Sequence, residues 1–272
     1  MFHIIEKRLW MSCLILCALG ASTAAWSYDF VATLPMGTHV VGGGSSAPGY
    51  GSDSWKHDGG SVKSEFYLPP SVLFGHPITI GDLQSLSWWT KKPGDGTQPD
   101  WYLAIYTAKQ NDGKDPDSWY RSRLNSEPYF TQSTVDPDTW HQWSSGDPEH
   151  PLRFFDQPRT GVFGTYNDPT LSVITSGPIN WKNYGSGYPD LEWNYSTETI
   201  LAFSFQTGTD WSNGFTGMLD GFEVKLTNGD VGRVNFEVVP EPSSLLVGCG
   251  LLGLVFGLKR RQSRRTGAPR QS

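Results

Sequence analysis

Cysteine is scarce in this 272-residue chain: there are three, Cys13, Cys17 and Cys249, and all lie in apolar stretches at the two ends. The long middle has none, which excludes disulfides, thiolate zinc sites and a cysteine nucleophile there. A segment of that size buries enough apolar surface to fold without covalent staples. Helical periodicity is equally scarce. Apolar residues do not recur at three- and four-residue spacing through the middle, which argues against a helical bundle. Positive charge is short as well. Between Trp26 and Val239, Lys and Arg fall from 21 to 13 while Asp and Glu fall only from 27 to 25, leaving a net charge of −12. Such a surface repels nucleic acid and anionic membranes, and it suits solubility or calcium-rich extracellular surroundings. Catalytic signatures are missing too: the middle contains no H-E-x-x-H pair, no G-x-S-x-G elbow, no G-x-x-x-x-G-K-S/T phosphate loop and no E-x-D-x-x-E arrangement.

Long apolar runs occur only at the ends. Near the start, Lys7 and Arg8 precede an apolar stretch from Leu9 to Leu19, and Thr23-Ala24-Ala25 offers the small residues that signal peptidase cuts after. This predicts a signal peptide over 1–25, with cleavage after Ala25 or Ala24. Cys13 and Cys17 follow Met11-Ser12 and Ile15-Leu16, which is not a lipobox. Near the other end, Pro240, Glu241 and Pro242 precede 14 uncharged residues, Leu245 to Leu258, and then the basic cluster Lys259, Arg260, Arg261, Arg264 and Arg265. The run favours hydrocarbon and the cluster stays in the cytoplasm, although a full crossing usually takes about 20 residues. Gly248, Gly250, Gly253 and Gly257 would weaken a buried core helix in water, so a single transmembrane helix is expected.

The order of these parts, Pro240-Glu241-Pro242, small residues, a Gly- and Leu-rich span and an Arg-rich end, resembles the PEP-CTERM sorting signal of Gram-negative bacteria. The likeness covers about a tenth of the chain. It implies a secreted protein held transiently at the inner membrane, recognised by an exosortase-type processing enzyme and passed to the cell surface or an exopolysaccharide matrix. The segment T-G-A-P-R-Q-S after Arg265 makes the cytoplasmic end longer than the pattern requires, and an ordinary anchor that is never cleaved is the alternative. The expected organisation is a signal peptide at 1–25, an exported domain at 26–239, the sorting signal at 240–265 and a cytoplasmic tail at 266–272.

Within the exported domain, short aromatic and β-branched runs alternate with Gly, Pro, Asn, Asp and Ser, the pattern of an all-β antiparallel fold. Strands are predicted at Val62–Leu68, Ile78–Ile80, Leu83–Thr90, Trp101–Thr107, Ser118–Leu124, Tyr129–Thr134, Leu152–Phe155, Thr160–Tyr166, Leu171–Thr175 and Thr199–Gln206. A closing hairpin is predicted from Gly221–Thr227 and Asp230–Val238 around Asn228-Gly229, with a type I′ turn. No internal repeat divides the domain, and the Gly-Ser stretch from Gly42 to Ser54 reads as a loop. The pattern is similar to that of the jelly-roll or concanavalin-like β-sandwiches carried by other sorted surface proteins.

Two features stand out as candidate sites. The exported part has eleven tryptophans, and sugar rings pack their C–H faces on exposed aromatic faces. Trp119, Trp140 and Trp143 lie in loop-like segments and are the candidate glycan-binding residues; of Trp88 and Trp89, which alternate, at least one should fill the core. The stretch Asn111 to Asp117 (N-D-G-K-D-P-D) places Asp112, Asp115 and Asp117 around a glycine turn. Hard carboxylate oxygens of this kind suit Ca²⁺, though the spacing is not that of an EF-hand, and a solvated turn is the competing reading. Glu127, Glu192 and Glu198 form no clean same-face pair and would have to meet a partner across the sheet, so they read as exposed carboxylates, and the scattered His141 and His150 form a metal pair only if a loop brings them together. The expectation is a non-catalytic surface or matrix protein that binds extracellular polysaccharide or serves structurally. The alternative is a secreted glycan-active hydrolase or lyase.

Overall fold

The structure is a computed structural model and describes residues 27–33, 40–59, 63–94, 97, 99–208 and 215–237. The signal peptide, Pro240-Glu241-Pro242, the span Leu245–Leu258, the basic cluster Lys259 to Arg265 and the tail lie outside the described residues. Among the described residues no helix is long and apolar enough to cross a membrane.

The described chain is mostly β-sheet with a few short helices. Its strands are β1 (Ser27–Thr33), β2 (Val40–Gly42), β3 (Trp55–His57), β4 (Glu65–Leu68), β5 (Leu83–Lys91), β6 (Tyr102–Thr107), β7 (Arg123–Ser126), β8 (His141–Ser144), β9 (Pro178–Asn180), β10 (Glu192–Asn194), β11 (Ile200–Gln206), β12 (Met218–Leu226) and β13 (Val231–Glu237). The helices are α1 (Pro70–Phe74), α2 (Gln157–Thr160) and α3 (Leu171–Ser176). A seven-stranded sheet runs β1-β13-β12-β3-β2, with β5 and then β8 branching from β12; a four-stranded sheet runs β4-β11-β6-β7; β9 and β10 form a small pair.

The two larger sheets meet through aromatic side chains. Trp88 of β5 reaches Phe205 of β11 at 5.7 Å between ring centroids, Phe203 and Phe205 reach Phe222 of β12 at 5.4 and 4.9 Å, and Trp55 of β3 reaches Phe66 of β4 at 4.9 Å. Trp55, Trp88, Phe203, Phe205, Phe222 and Phe236 are all almost completely buried. Each such side chain contributes roughly 1.5–3 kcal/mol by leaving water. That alternation is why Trp88 faces inward while its neighbour Trp89 is half-buried.

Several strand expectations are corrected. The fold is not purely antiparallel: β1 pairs in parallel with β13 over seven residues, because the first and last strands share an edge with the whole domain between them. Leu171–Thr175 is helical, since Leu171 and Ile174, three apart, bury the same face. Tyr129–Thr134 holds a 3-10 turn at Pro128–Thr131, and Ile78–Ile80 leads into one at Ile80–Asp82, where Asp82 accepts from the Thr79 backbone N–H at 2.7 Å and its hydroxyl at 2.8 Å. Thr160–Tyr166 is the end of α2 and a turn, broken at Gly161 with φ 72°. Ser118–Leu124 is a turn that reaches β7 only at Arg123, and Leu152–Phe155 makes single bridges instead of a strand.

The closing hairpin forms with its expected faces, Phe222, Val224, Leu226, Val234 and Phe236 being buried. Its turn differs. Gly229 has φ 95° but Asn228 is not in the left-handed region, the Gly229 N–H donates to the Leu226 carbonyl at 2.9 Å, and the Leu226 N–H donates to the Asp230 carbonyl at 2.9 Å. This is a three-residue loop ended by a bulge glycine and not a type I′ turn.

Candidate functional site

The outer face of the four-stranded sheet carries an unusual set of side chains, laid out by register. In β11, Phe203 and Phe205 point to the core, so Ala202, Ser204 and Gln206 point out. Gln206 lies beside Glu65 and Tyr102, Ser204 beside Tyr67 and Ala104, and Ala202 beside Tyr106; Ala104 in turn pairs Asn125, and Tyr106 pairs Arg123. A β-bulge between Ile200 and Ala202 turns Leu201 outward, 39% exposed, and Ile200 inward, against simple alternation. The outer face therefore has small residues in its middle and three tyrosines around them.

A chain of hydrogen bonds locks these tyrosines. Tyr102 Oη donates to Gln206 Oε1 at 2.9 Å, Gln206 Nε2 donates to Tyr106 Oη at 3.0 Å and to Ser204 Oγ at 2.8 Å, and Tyr67 Oη donates to Glu65 Oε2 at 3.1 Å. Burial, with Tyr106 and Glu65 nearby, raises the Tyr67 hydroxyl pKa, and burial with Glu127 nearby raises that of Tyr102. Both therefore stay protonated donors. Glu127, just past β7, is pushed up to about 7 by burial, an effect the Arg123 charge only partly offsets.

Trp119 completes the face. It stacks on Tyr106 with centroids 4.6 Å apart and planes at 29°, touches Tyr120 and Tyr67 edge-on at 5.3 and 5.9 Å, and is still 53% exposed. Tyr67 beside it is 41% exposed. The Asp-rich loop before Trp119 explains its placement. Arg121, 5% exposed, donates from Nη1 to Asp112 at 2.8 Å and to Asp115 at 2.6 Å, from Nη2 to Asp112 at 2.8 Å, and from Nε to Glu198 at 3.2 Å. The calcium expectation for Asp112, Asp115 and Asp117 is corrected accordingly: a guanidinium already occupies the first two carboxylates, and Asp117 is exposed. Bonding to Arg121 holds Asp112 below the usual carboxylate range, and the loop is a brace for Trp119. No group of three or more metal-ligating side chains occurs among the described residues.

Glu198 is likewise not the exposed carboxylate expected. It is 1% exposed and accepts from Thr107 Oγ1 at 2.6 Å and Trp193 Nε1 at 2.7 Å as well as from Arg121. The Arg159 guanidinium lies 3.6 Å over the Trp193 ring, and Asp156 accepts from Arg159 Nε and from Tyr195 Oη, both at 3.2 Å. The paired Arg and Trp give this cluster cation–π stabilisation in addition to its ion pairs.

The other tryptophan candidates are elsewhere. Trp143 belongs to β8 of the seven-stranded sheet, pairs Trp88, is 2% exposed and donates from Nε1 to Thr90 Oγ1 at 2.7 Å. It is a core residue and not a glycan contact, because an edge strand with one buried face turns every second side chain inward. Trp140, half-buried, precedes the same strand and does not join Trp119. His141 and His150 bond Ser133 Oγ at 3.3 Å and the Thr131 carbonyl at 3.1 Å. No protein-family model, no curated protein and no solved structure matches this chain. Its function must therefore be read from the site itself, an aromatic platform with amide and carboxyl groups behind it.

Sequence reasoning singled out Trp119 but missed Tyr67, Tyr102, Tyr106 and Gln206. The signal for them was present in the alternation of Glu65, Tyr67 and of Tyr102, Ala104, Tyr106, which puts polar aromatics on the face opposite the core.

Proposed function

We propose that the chain is an exported, exosortase-sorted surface or matrix protein whose domain is a β-sandwich of jelly-roll or concanavalin-like type, and that it binds extracellular polysaccharide without turning it over. The face-to-face aromatic contacts between the two larger sheets support the sandwich reading, and the PEP-CTERM-like order of residues 240–265 supports the sorting reading. The observation that carries the binding role is Trp119: a large ring, more than half exposed, immobilised by stacking on Tyr106. A preordered ring loses little entropy when a sugar packs on it.

Glu127 favours a second reading, a glycan-active hydrolase or lyase, because a half-buried carboxyl with a pKa about 7 suits a general acid. The other carboxylate on the face, Glu65, starts three strand spacings away, about 14 Å, against carboxyl separations of about 5–9.5 Å in glycosidases. That distance favours binding over hydrolysis.

Retention of the full-length chain on cell-derived polysaccharide, compared with Trp119→Ala, tests the role. Loss of retention in the variant is expected; equal retention refutes the platform, and turnover of the polysaccharide favours the enzyme. The intact mass of the surface-located protein tests the sorting: a mass that still contains Lys259 to Arg265 refutes processing.

A further inference from the structure

The same sheet face continues past β7. Asn125 and Phe155 exchange backbone hydrogen bonds at 2.8 and 3.0 Å, so the row Tyr67, Ser204, Ala104, Asn125 gains Phe155 as its next member. Phe130 lies on Phe155 with centroids 5.5 Å apart, Tyr129 and Tyr166 pack against it at 5.2 and 6.0 Å, and the backbone of Gly164 seats between them, where a Cβ would come within 2.5 Å of Phe130 and 2.6 Å of Phe155. In this second aromatic cluster Tyr166 is 41% exposed, and Phe163, three residues before it, is 73% exposed. It stands four strand spacings, roughly 19 Å, from Tyr67.

The strip between the two clusters is polar and incompletely satisfied. Asn125 is 6% exposed and its Oδ1 has no hydrogen-bond partner; Arg123 Nε is buried without one, and Arg123 Nη2 makes only a long contact, 3.4 Å, to Gln157 Oε1. Asn125 Oδ1 and Arg123 Nε lie out of contact with solvent, so a ligand crossing the strip meets the half-buried side chains of Tyr102 and Arg123 instead. Alternating flat apolar faces and hydroxyls are the chemistry of a sugar chain, and a span between two aromatic stations needs several sugar rings in a row.

We infer that the outer face of the four-stranded sheet binds an extended polysaccharide segment laid across the strands, held at one end by Trp119 and Tyr67 and at the other by Phe163 and Tyr166, and passing the half-buried Tyr102 and Arg123 between them. This rests on the polysaccharide-binding role proposed above and adds its binding mode: internal chain segments, not single sugars or chain ends.

The test uses the full-length chain and cell-derived extracellular polysaccharide, partly depolymerised and separated by length. Wild type is expected to hold long fragments at least about tenfold more tightly than fragments of one or two sugars, as linked subsites require. Phe163→Ala and Tyr166→Ala are expected to weaken binding of long fragments about tenfold and to leave short ones unchanged; both side chains are exposed enough that folding survives their loss. Length-independent binding, or long-fragment binding untouched by both variants but abolished by Trp119→Ala, overturns the extended mode and leaves the simpler platform standing. Absence of binding to every fraction overturns both.

Discussion

Replacing Glu198 by Ala is the sharpest perturbation the structure offers. The carboxylate is 1% exposed and accepts three hydrogen bonds, from Thr107, Trp193 and Arg121 at 2.6, 2.7 and 3.2 Å. Its loss leaves the buried Thr107 hydroxyl and the half-buried Trp193 N–H without this acceptor and removes one partner from a buried cation. Breaking a buried pair from one side typically costs about 3–5 kcal/mol. Arg121 keeps Asp112 and Asp115, which puts the expected cost near the lower end, about 3 kcal/mol. For a domain of this length each kcal/mol lowers Tm by about 2–4 °C, so a fall of roughly 6–12 °C is expected. Thermal unfolding followed by near-ultraviolet circular dichroism measures it, since Trp193 and Trp119 both depend on this cluster. Glu223→Ala is the control: its partner Arg233 is 48% exposed, and such pairs contribute less than about 1 kcal/mol. A Glu198→Ala shift no larger than the control's would refute the view that this network braces the platform.

Stability should fall as pH rises. Glu127 and Asp100 are both pushed up to about 7, chiefly by burial, so the folded state holds their protons where the unfolded chain releases them. Their contribution is complete below about pH 4, declines between there and about pH 7, and is flat above; Glu127→Gln should make the measured decline shallower, and an unchanged slope would show that Glu127 is not protonated in the fold. Trp143→Ala should cost about 3–5 kcal/mol in urea unfolding by opening a core cavity, whereas Trp119→Ala should stay within about 1 kcal/mol and lose polysaccharide retention instead. Adding calcium should leave Tm unchanged, because Arg121 already occupies Asp112 and Asp115; a rise of several degrees would contradict that arrangement.

The β-rich class was legible because alternation is a local property: Leu83–Thr90, Trp101–Thr107, Thr199–Gln206 and the last hairpin all appear close to where the pattern places them. Leu171–Thr175 misled because a short run rich in β-branched residues suits a strand while apolar residues three apart also fit a helix turn, and only the packing of Leu171 and Ile174 chooses between them. Trp143 misled because its segment is rich in turn residues while its partner strand, β5, is distant in sequence.

By itself the sequence determined that the middle of the chain is free of cysteine, acidic and built from short strands, and it marked Trp119 as a residue to watch. Tertiary structure alone decided what the acids near Trp119 do, since Arg121 reaches Asp112 and Asp115 locally but is fixed in place by Glu198, 77 residues away. It also decided that Tyr67, Tyr102 and Tyr106 share one face, because register between strands is set by which apolar side chains meet in the core, and no single strand carries that information.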